Sequence, residues 1–303
     1  MKKIAYVGWE NCYRIANGTV ELVVTADVGP RIIRYALEGG ENMFKEYPDM
    51  VGKTGGDEWL IYGGHRLWHS PEAKPRCYSP DNFPVEVTES GGCVHTRQPI
   101  EPETGIEKEL DIRLAPQGPR VTVTHRLRNT LPWTLELAPW ALTVMGEGAK
   151  AIIPLPARGS QDENLLPTSA MSLWAYTDMA DPRWTWGRGH VMLQQDPALS
   201  DPQKLGAMVP DGWADTARLG NLFVKRFRHD PCARYPDWGC SVETYTNADM
   251  LELETVAPLV KLEPGCAVEH VEDWFLFGGV PAPATDADVE RDVLPRVAEA
   301  KVN

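Results

Sequence analysis

The sequence predicts an all-β, antiparallel protein on three grounds: period-two alternation, hairpin signals and a near absence of helical pattern. Segment 109–114 (ELDIRL) sets Leu110, Ile112 and Leu114 on one face and Glu109, Asp111 and Arg113 on the other. After the turn residues 116–119 (PQGP), segment 120–128 (RVTVTHRLR) alternates again, with Val121, Val123, His125 and Leu127 together. Alternation of this kind marks antiparallel strands that bury one side. Asn17-Gly18 separates segment 12–16 from 19–24 (TVELVV). That pair suits a tight hairpin turn because its positions need positive φ. Helical patterning begins only after residue 284.

The other elements follow in order. Segment 28–37 is a strand that ends at Glu38-Gly39-Gly40, and further strands are expected at 133–145, 149–154, 189–194, 219–227, 240–246, 250–256 and 267–277. Loops 43–84, 155–188 and 228–238 are rich in Pro, Trp and Asp. Long aperiodic loops inside a compact domain usually serve function. Thr285 with Asp288 forms a capping-box pattern before an amphipathic stretch, 286–300, which Pro295 would bend. No repeat or linker composition divides the chain. The expected organisation is one β domain over 1–280 and a short helical tail over 281–303.

Composition narrows the function classes. With 43% hydrophobic and 24% charged residues over 303 positions, the chain reads as ordinary globular protein able to bury a core. A formal net charge of -13, with no run of Lys or Arg, argues against a nucleic-acid partner. No apolar stretch reaches the length of a membrane span, so no membrane partner is expected. Met1-Lys2-Lys3 opens like a signal peptide, but Glu10, Asn11 and Arg14 interrupt it, so the expected location is the cytoplasm. The six cysteines show no Cys-x-x-Cys pair and are expected to be free thiols. The Gly-x-Ser-x-Gly, Walker A and Gly-x-Gly-x-x-Gly patterns are missing. No cofactor is expected, and composition does not fix an oligomeric state.

Three clusters carry possible chemistry. The first, 63–72 (GGHRLWHSPE), holds His65, Arg66, Trp68, His69 and Glu72. The double Gly and Pro71 disfavour a helix here. An extended segment sets His65, Leu67 and His69 on one side and Arg66 and Trp68 on the other. Metal binding, plain packing and ligand contact all remain open, and no metal is the expectation, because a metal site needs three or more supported ligands. The second, 174–188 (WAYTDMADPRWTWGR), combines aromatic rings with Asp181 and Arg183. Aromatic faces suit the C–H faces of sugars, and Asp and Arg suit their hydroxyls. The same rings would equally plug a loop onto the sheet. The third, 240–256, puts Glu243 and Tyr245 on one face of a strand. It sets Glu252 and Glu254 on one face of the next strand, opposite Leu251 and Leu253. Such carboxylates act as general bases or are simply solvated. His125, between Val123 and Leu127, reads as a hydrogen-bonded core histidine.

At these residues the chain resembles the galactose mutarotase-like superfamily, which includes aldose 1-epimerases and hexose-6-phosphate epimerases, and looks nearest to an uncharacterised bacterial branch. The resemblance spans about residues 15–278, through DVGPRIIRYALEGGENMF, GGHRLW, LELAPWALTVM (135–145), LELET (251–255) and LEPG (262–265). It implies an antiparallel β-supersandwich, with a sugar on a concave sheet face. It also implies that Arg66 binds substrate and that Glu254 removes the anomeric proton. The family's general-acid His falls at Trp140, so His65, or else His69, is expected to supply the acid. The expected pocket gathers catalytic Glu254 and His65 with Arg66, His69, Trp140, Asp181, Arg183 and Glu243. The implied function is interconversion of the anomers of an aldose or sugar derivative. Non-catalytic carbohydrate binding and carbohydrate lyase or hydrolase chemistry remain alternatives on the same fold.

Overall fold

In the computed structural model, residues 1–302 are described and form two antiparallel sheets packed face to face. The first sheet runs in the order Lys2–Tyr6, Trp9–Ala16, Val20–Thr25, Arg31–Leu37, Gly64–Ser70, Leu135–Met145, Leu251–Val256, Val242–Thr246, Gln203–Ala207, Met171–Leu173. Val260–Leu262 adds to it on Leu135–Met145. The second runs Trp184–Trp186, His190–Gln194, Lys150–Pro154, Trp213–Arg218, Asn221–Phe227, Ala267–Gly278, Val121–Asn129, Ile106–Leu114, Cys93–Arg97, Glu86–Ser90. This is the all-β, antiparallel architecture that the alternating segments predict, and the supersandwich that the resemblance implies.

Local chemistry explains the sharp passages. Asn17 Oδ1 accepts from the backbone N–H groups of Thr19 and Val20, which closes the first hairpin. At Gly64, φ is +70° and a Cβ would lie 2.4 Å from the Ile32 carbonyl oxygen. Only glycine lets the chain enter the strand Gly64–Ser70 that close to its neighbour.

The core lies between the sheets. Tyr35, Phe44, Phe223 and Trp274 meet there with ring centroids 5.4 to 6.0 Å apart. His125 is the hydrogen-bonded core histidine its strand face implies. Its Nδ1 faces the His270 carbonyl at 2.9 Å and its Nε2 faces His65 Nε2 at 2.6 Å.

The tail helix covers the other side of the second sheet. Thr285 and Asp288 form the capping box. The helical stretch runs from Asp286 to Glu299, with a π-helical turn just before Pro295. Val289, Val293, Val297 and Ala300 bury against Ile152, Trp213, Leu222, Val224 and Phe275. No described helix is long and apolar enough to cross a membrane.

Asp215 shares its strand face with Trp213 and Ala217 of this cluster, and neither of its carboxyl oxygens has a partner. Burial pushes its pKa well above the carboxylate range, against a downward pull from Arg226. Asp215 therefore stabilises the fold most below the unfolded Asp value near 3.9, and this contribution is lost as pH rises through the folded value. Asp215→Asn is expected to flatten that part of the pH profile. Urea unfolding across a pH series checks it, and an unchanged slope would refute the assignment.

Candidate functional site

The site is built on the face of the first sheet that points away from the core. Register places Arg66 opposite Leu142, Leu142 opposite Glu254, Glu254 opposite Glu243 and Glu243 opposite Gly206. Five adjacent strands thus supply one row of side chains. Neighbouring rows add Trp68 and Trp140 on one side and Lys204, Tyr245 and Glu252 on the other. Gly206 closes the row because a Cβ there would lie 2.5 Å from Cys240 Sγ and 3.4 Å from the Trp174 ring.

Each of the three segments read from sequence as long loops raises a wall over this row, although 43–84 also supplies the strand Gly64–Ser70 and 155–188 the short strands Met171–Leu173 and Trp184–Trp186. The first brings Trp59, Ile61, Glu72, Lys74 and Tyr78, the second Trp174 and Tyr176, and the third Asp237. They enclose two lobes of about 300 and 310 Å³ that share Glu72, Tyr78 and Trp140.

Charges on the floor are paired and nearly dry. Arg66 Nη2 lies 2.9 Å from Glu252 Oε1, and its guanidinium sits over the Trp59 and Trp68 rings at 5.3 and 4.7 Å. Arg66 Nε and Nη1 are buried and have no hydrogen-bond partner. Lys204 Nζ lies 2.8 Å from Glu243 Oε2 and 3.3 Å from Glu254 Oε2, with the Trp140 and Trp174 rings each 4.7 Å away. Trp140 Nε1 donates to Glu254 Oε2 at 2.8 Å, while Glu254 Oε1 has no partner. Glu254 is fully buried beneath Trp140 and Lys204, whereas Glu243 lines the smaller lobe.

Burial raises Glu254 to about 7, with Glu252 adding to the rise and Lys204 and Arg66 opposing it. Burial likewise raises Glu243 to about 8, opposed by Lys204 and reinforced by Glu254. Burial disfavours the Lys204 ammonium, yet Glu243 and Glu254 hold its pKa well above the ordinary lysine value. The paired carboxyls of the floor can therefore hold a proton near neutrality.

The structure brings Arg66, Trp140, Glu243 and Glu254 together and keeps four expected residues away. His65 and His69 alternate with Arg66 and Trp68, so they point to the opposite face. His65 lies between the sheets, with Nδ1 2.8 Å from Thr143 Oγ1 and Nε2 on His125. His69 is buried too, and burial together with Lys108 and Arg76 lowers its pKa to about 3. Neither can stand in the cleft as the acid. Asp181 and Arg183 pair with each other at 2.8 Å, and Arg183 also donates to the Leu199 carbonyl at 3.1 Å. They clamp a loop and do not line the cleft. Lys204, Trp59 and Tyr78 are the site residues that sequence reasoning did not single out, while Glu252 and Trp174 lay in its clusters but outside the expected pocket.

One trio of ligand-type atoms within 4.8 Å of one another is His65, His125 and Glu272, in the core. Its imidazoles already bond to each other, and Glu272 pairs with Lys225 at 2.9 Å and accepts from Trp274 at 2.7 Å. This arrangement fits a closed hydrogen-bond network more closely than a metal centre.

No protein-family model matches the chain, and no curated protein sequence matches it. Solved structures do. The Slr1438 protein of Synechocystis sp. PCC 6803 superposes with a TM-score of 0.59 at 12% identity, covering 91% of this chain and 99% of its own. A galactose mutarotase-like protein of Lactobacillus casei ATCC 334 gives 0.53 at 10% identity, covering 88% and 100%. A galactose mutarotase related enzyme of Lactobacillus acidophilus gives 0.52 at 10% identity, covering 88% and 98%. Likeness at such identity speaks for architecture, and with the two-sheet topology it allows one conclusion: the chain has the galactose mutarotase-like fold.

Proposed function

We propose that the cleft binds a sugar and interconverts its anomers by proton transfer, with Glu254 as the general base. One observation carries the reading. Glu254, raised to about 7, is buried directly against Lys204 and across from Glu243, and those two line a cleft walled by aromatic rings. A general base works best with a pKa near the operating pH. Arg66 Nε and Nη1 would donate to sugar hydroxyls, and the Trp140, Trp174 and Tyr78 rings would meet the C–H faces. On this reading the sugar displaces the Lys204 ammonium, and Glu254 Oε1 takes the anomeric proton. Glu243 and Glu254 stand side by side on paired strands, unlike the carboxyls of glycoside hydrolases, which flank the scissile bond.

A second reading has its own support. Trp140 stands at the position expected of the acid and ties Glu254 Oε2, which suits a protein that binds sugar without turning it over. NMR saturation transfer between the anomers of D-glucose and of D-galactose separates the two. The enzyme reading expects exchange above the buffer rate. It also expects Glu254→Gln to lose ~10²–10⁴-fold of that rate while sugar still quenches tryptophan fluorescence. Binding with no faster exchange in the parent would leave the binding reading in place.

A further inference from the structure

We propose that Glu243 is the general acid of this site, the carboxyl that gives its proton to the sugar ring oxygen. The inference rests on the anomer-exchange reading above and assigns the partner that Glu254 requires.

Elimination is the first ground. The chain has seven histidines. His65, His69, His125 and His270 are buried on the core side. His95 pairs with Asp111 on the second sheet at 2.7 Å. His190 pairs with Asp286 at the tail helix at 3.1 Å, and His229 stacks on Tyr235 at 4.7 Å. None lines either lobe.

Placement is the second. Glu243 lines the cleft itself, beside Trp140, Trp174 and Tyr78. It stands directly across from Glu254 on the paired strand, and Lys204 Nζ touches both carboxyls. Beyond that ion pair the Glu243 oxygens have no partner, although both are buried. A buried carboxyl with open oxygens, next to a second carboxyl, holds a proton more tightly than a solvated one. Lys204 supplies one positive charge to the two carboxyls, so the trio reaches neutrality with one proton retained.

The chemistry suits a side-by-side pair. The anomeric hydroxyl and the ring oxygen are bonded to the same carbon, so adjacent carboxyls reach both. Glu254 carboxylate takes the hydroxyl proton while Glu243 protonates the ring oxygen. The bond from C1 to the ring oxygen breaks as the C1 carbonyl forms. After rotation about C1–C2, the ring hydroxyl attacks the other carbonyl face. Its proton returns to Glu243 carboxylate, and Glu254 returns its proton to the anomeric oxygen. Nothing is consumed.

The test uses the full chain with D-glucose and D-galactose, following anomer exchange by NMR against pH. The parent is expected to show a bell, its acid limb from Glu254 and its alkaline limb from Glu243. Glu243→Gln should lose ~10²–10⁴-fold in rate and lose the alkaline limb, with sugar quenching kept. Glu243→Asp should recover part of the rate with the limb displaced, which separates an acid from a residue needed only for folding. A Glu243→Gln variant as fast as the parent, while Glu254→Gln is slow, overturns the assignment and leaves the base standing. A parent that binds sugar without speeding exchange overturns the reading on which the assignment rests.

Discussion

Lys225→Met is expected to cost about 3–5 kcal/mol of stability, the loss typical when one partner of a buried ion pair is removed. Lys225 is fully buried between the sheets, where Nζ lies 2.9 Å from Glu272 Oε1 and donates to the Leu253 carbonyl at 3.2 Å. Met keeps most of the aliphatic volume and leaves the Glu272 charge unanswered. Glu272 also accepts from Thr255 and Trp274, so its carboxylate cannot swing out to water. Burial alone would raise its pKa, yet Lys225, His125, His270 and Thr255 hold it down to about 2. A depressed carboxylate contributes stability above its unfolded value near 4.3 and loses it as pH falls toward the folded value. The deficit of Lys225→Met should therefore be largest at neutral pH and shrink in acid. Adding Glu272→Gln should recover most of it, because replacing both partners removes the unpaired charge. Urea unfolding of the two single variants and the double variant measures this. A deficit independent of pH and unrelieved by Glu272→Gln would mean that packing, not charge, is what was lost.

Strand parity decided what the sequence could disclose. Where one face was apolar and the other polar, as in Ile106–Leu114 and Leu251–Val256, alternation located the strand and the side that faces out. The shared face of Glu252 and Glu254 followed from that pattern, whereas Arg66 was expected in the pocket from the family resemblance. The same rule already set His65 and His69 opposite Arg66, so an acid from that strand conflicted with its own alternation. Asp181 and Arg183 drew notice by composition, but residues two apart in a loop readily satisfy each other, and these two do. Lys204 left no local signal. Its strand, Gln203–Ala207, is five residues long, follows a proline and contains Gly206, which masks alternation. Its partner Glu254 lies 50 residues further along the chain. A cation whose partners are brought in by sheet order alone becomes visible only once the order of strands is known.

Lys204→Met should produce a loss that grows with pH. Met preserves the stem between the Trp140 and Trp174 rings and removes the ammonium that both Glu243 and Glu254 use. In the parent those carboxyls are already raised, to about 8 and about 7, by burial, with Lys204 holding both back, Glu254 reinforcing the rise of Glu243 and Glu252 that of Glu254. Without it both rise further. A raised carboxyl favours the folded state most below the unfolded value near 4.3, and that advantage is lost as pH climbs through the folded value. In acid the two carboxyls are protonated in parent and variant alike, so the lost cation–π contacts, about 2 kcal/mol at a desolvated site, are offset by relief of a buried ammonium that no longer has carboxylate partners, and the gap is small. From neutral to alkaline pH the variant must either keep both protons or bury uncompensated charge, and the gap should widen by roughly 3–5 kcal/mol. Lys204→Arg, which keeps the charge, should restore most of the alkaline stability. Urea unfolding from acid to alkaline pH reads all three proteins. A gap that stays constant with pH would show that Lys204 does not neutralise these carboxyls, and the proton-storing floor would have to be abandoned with it.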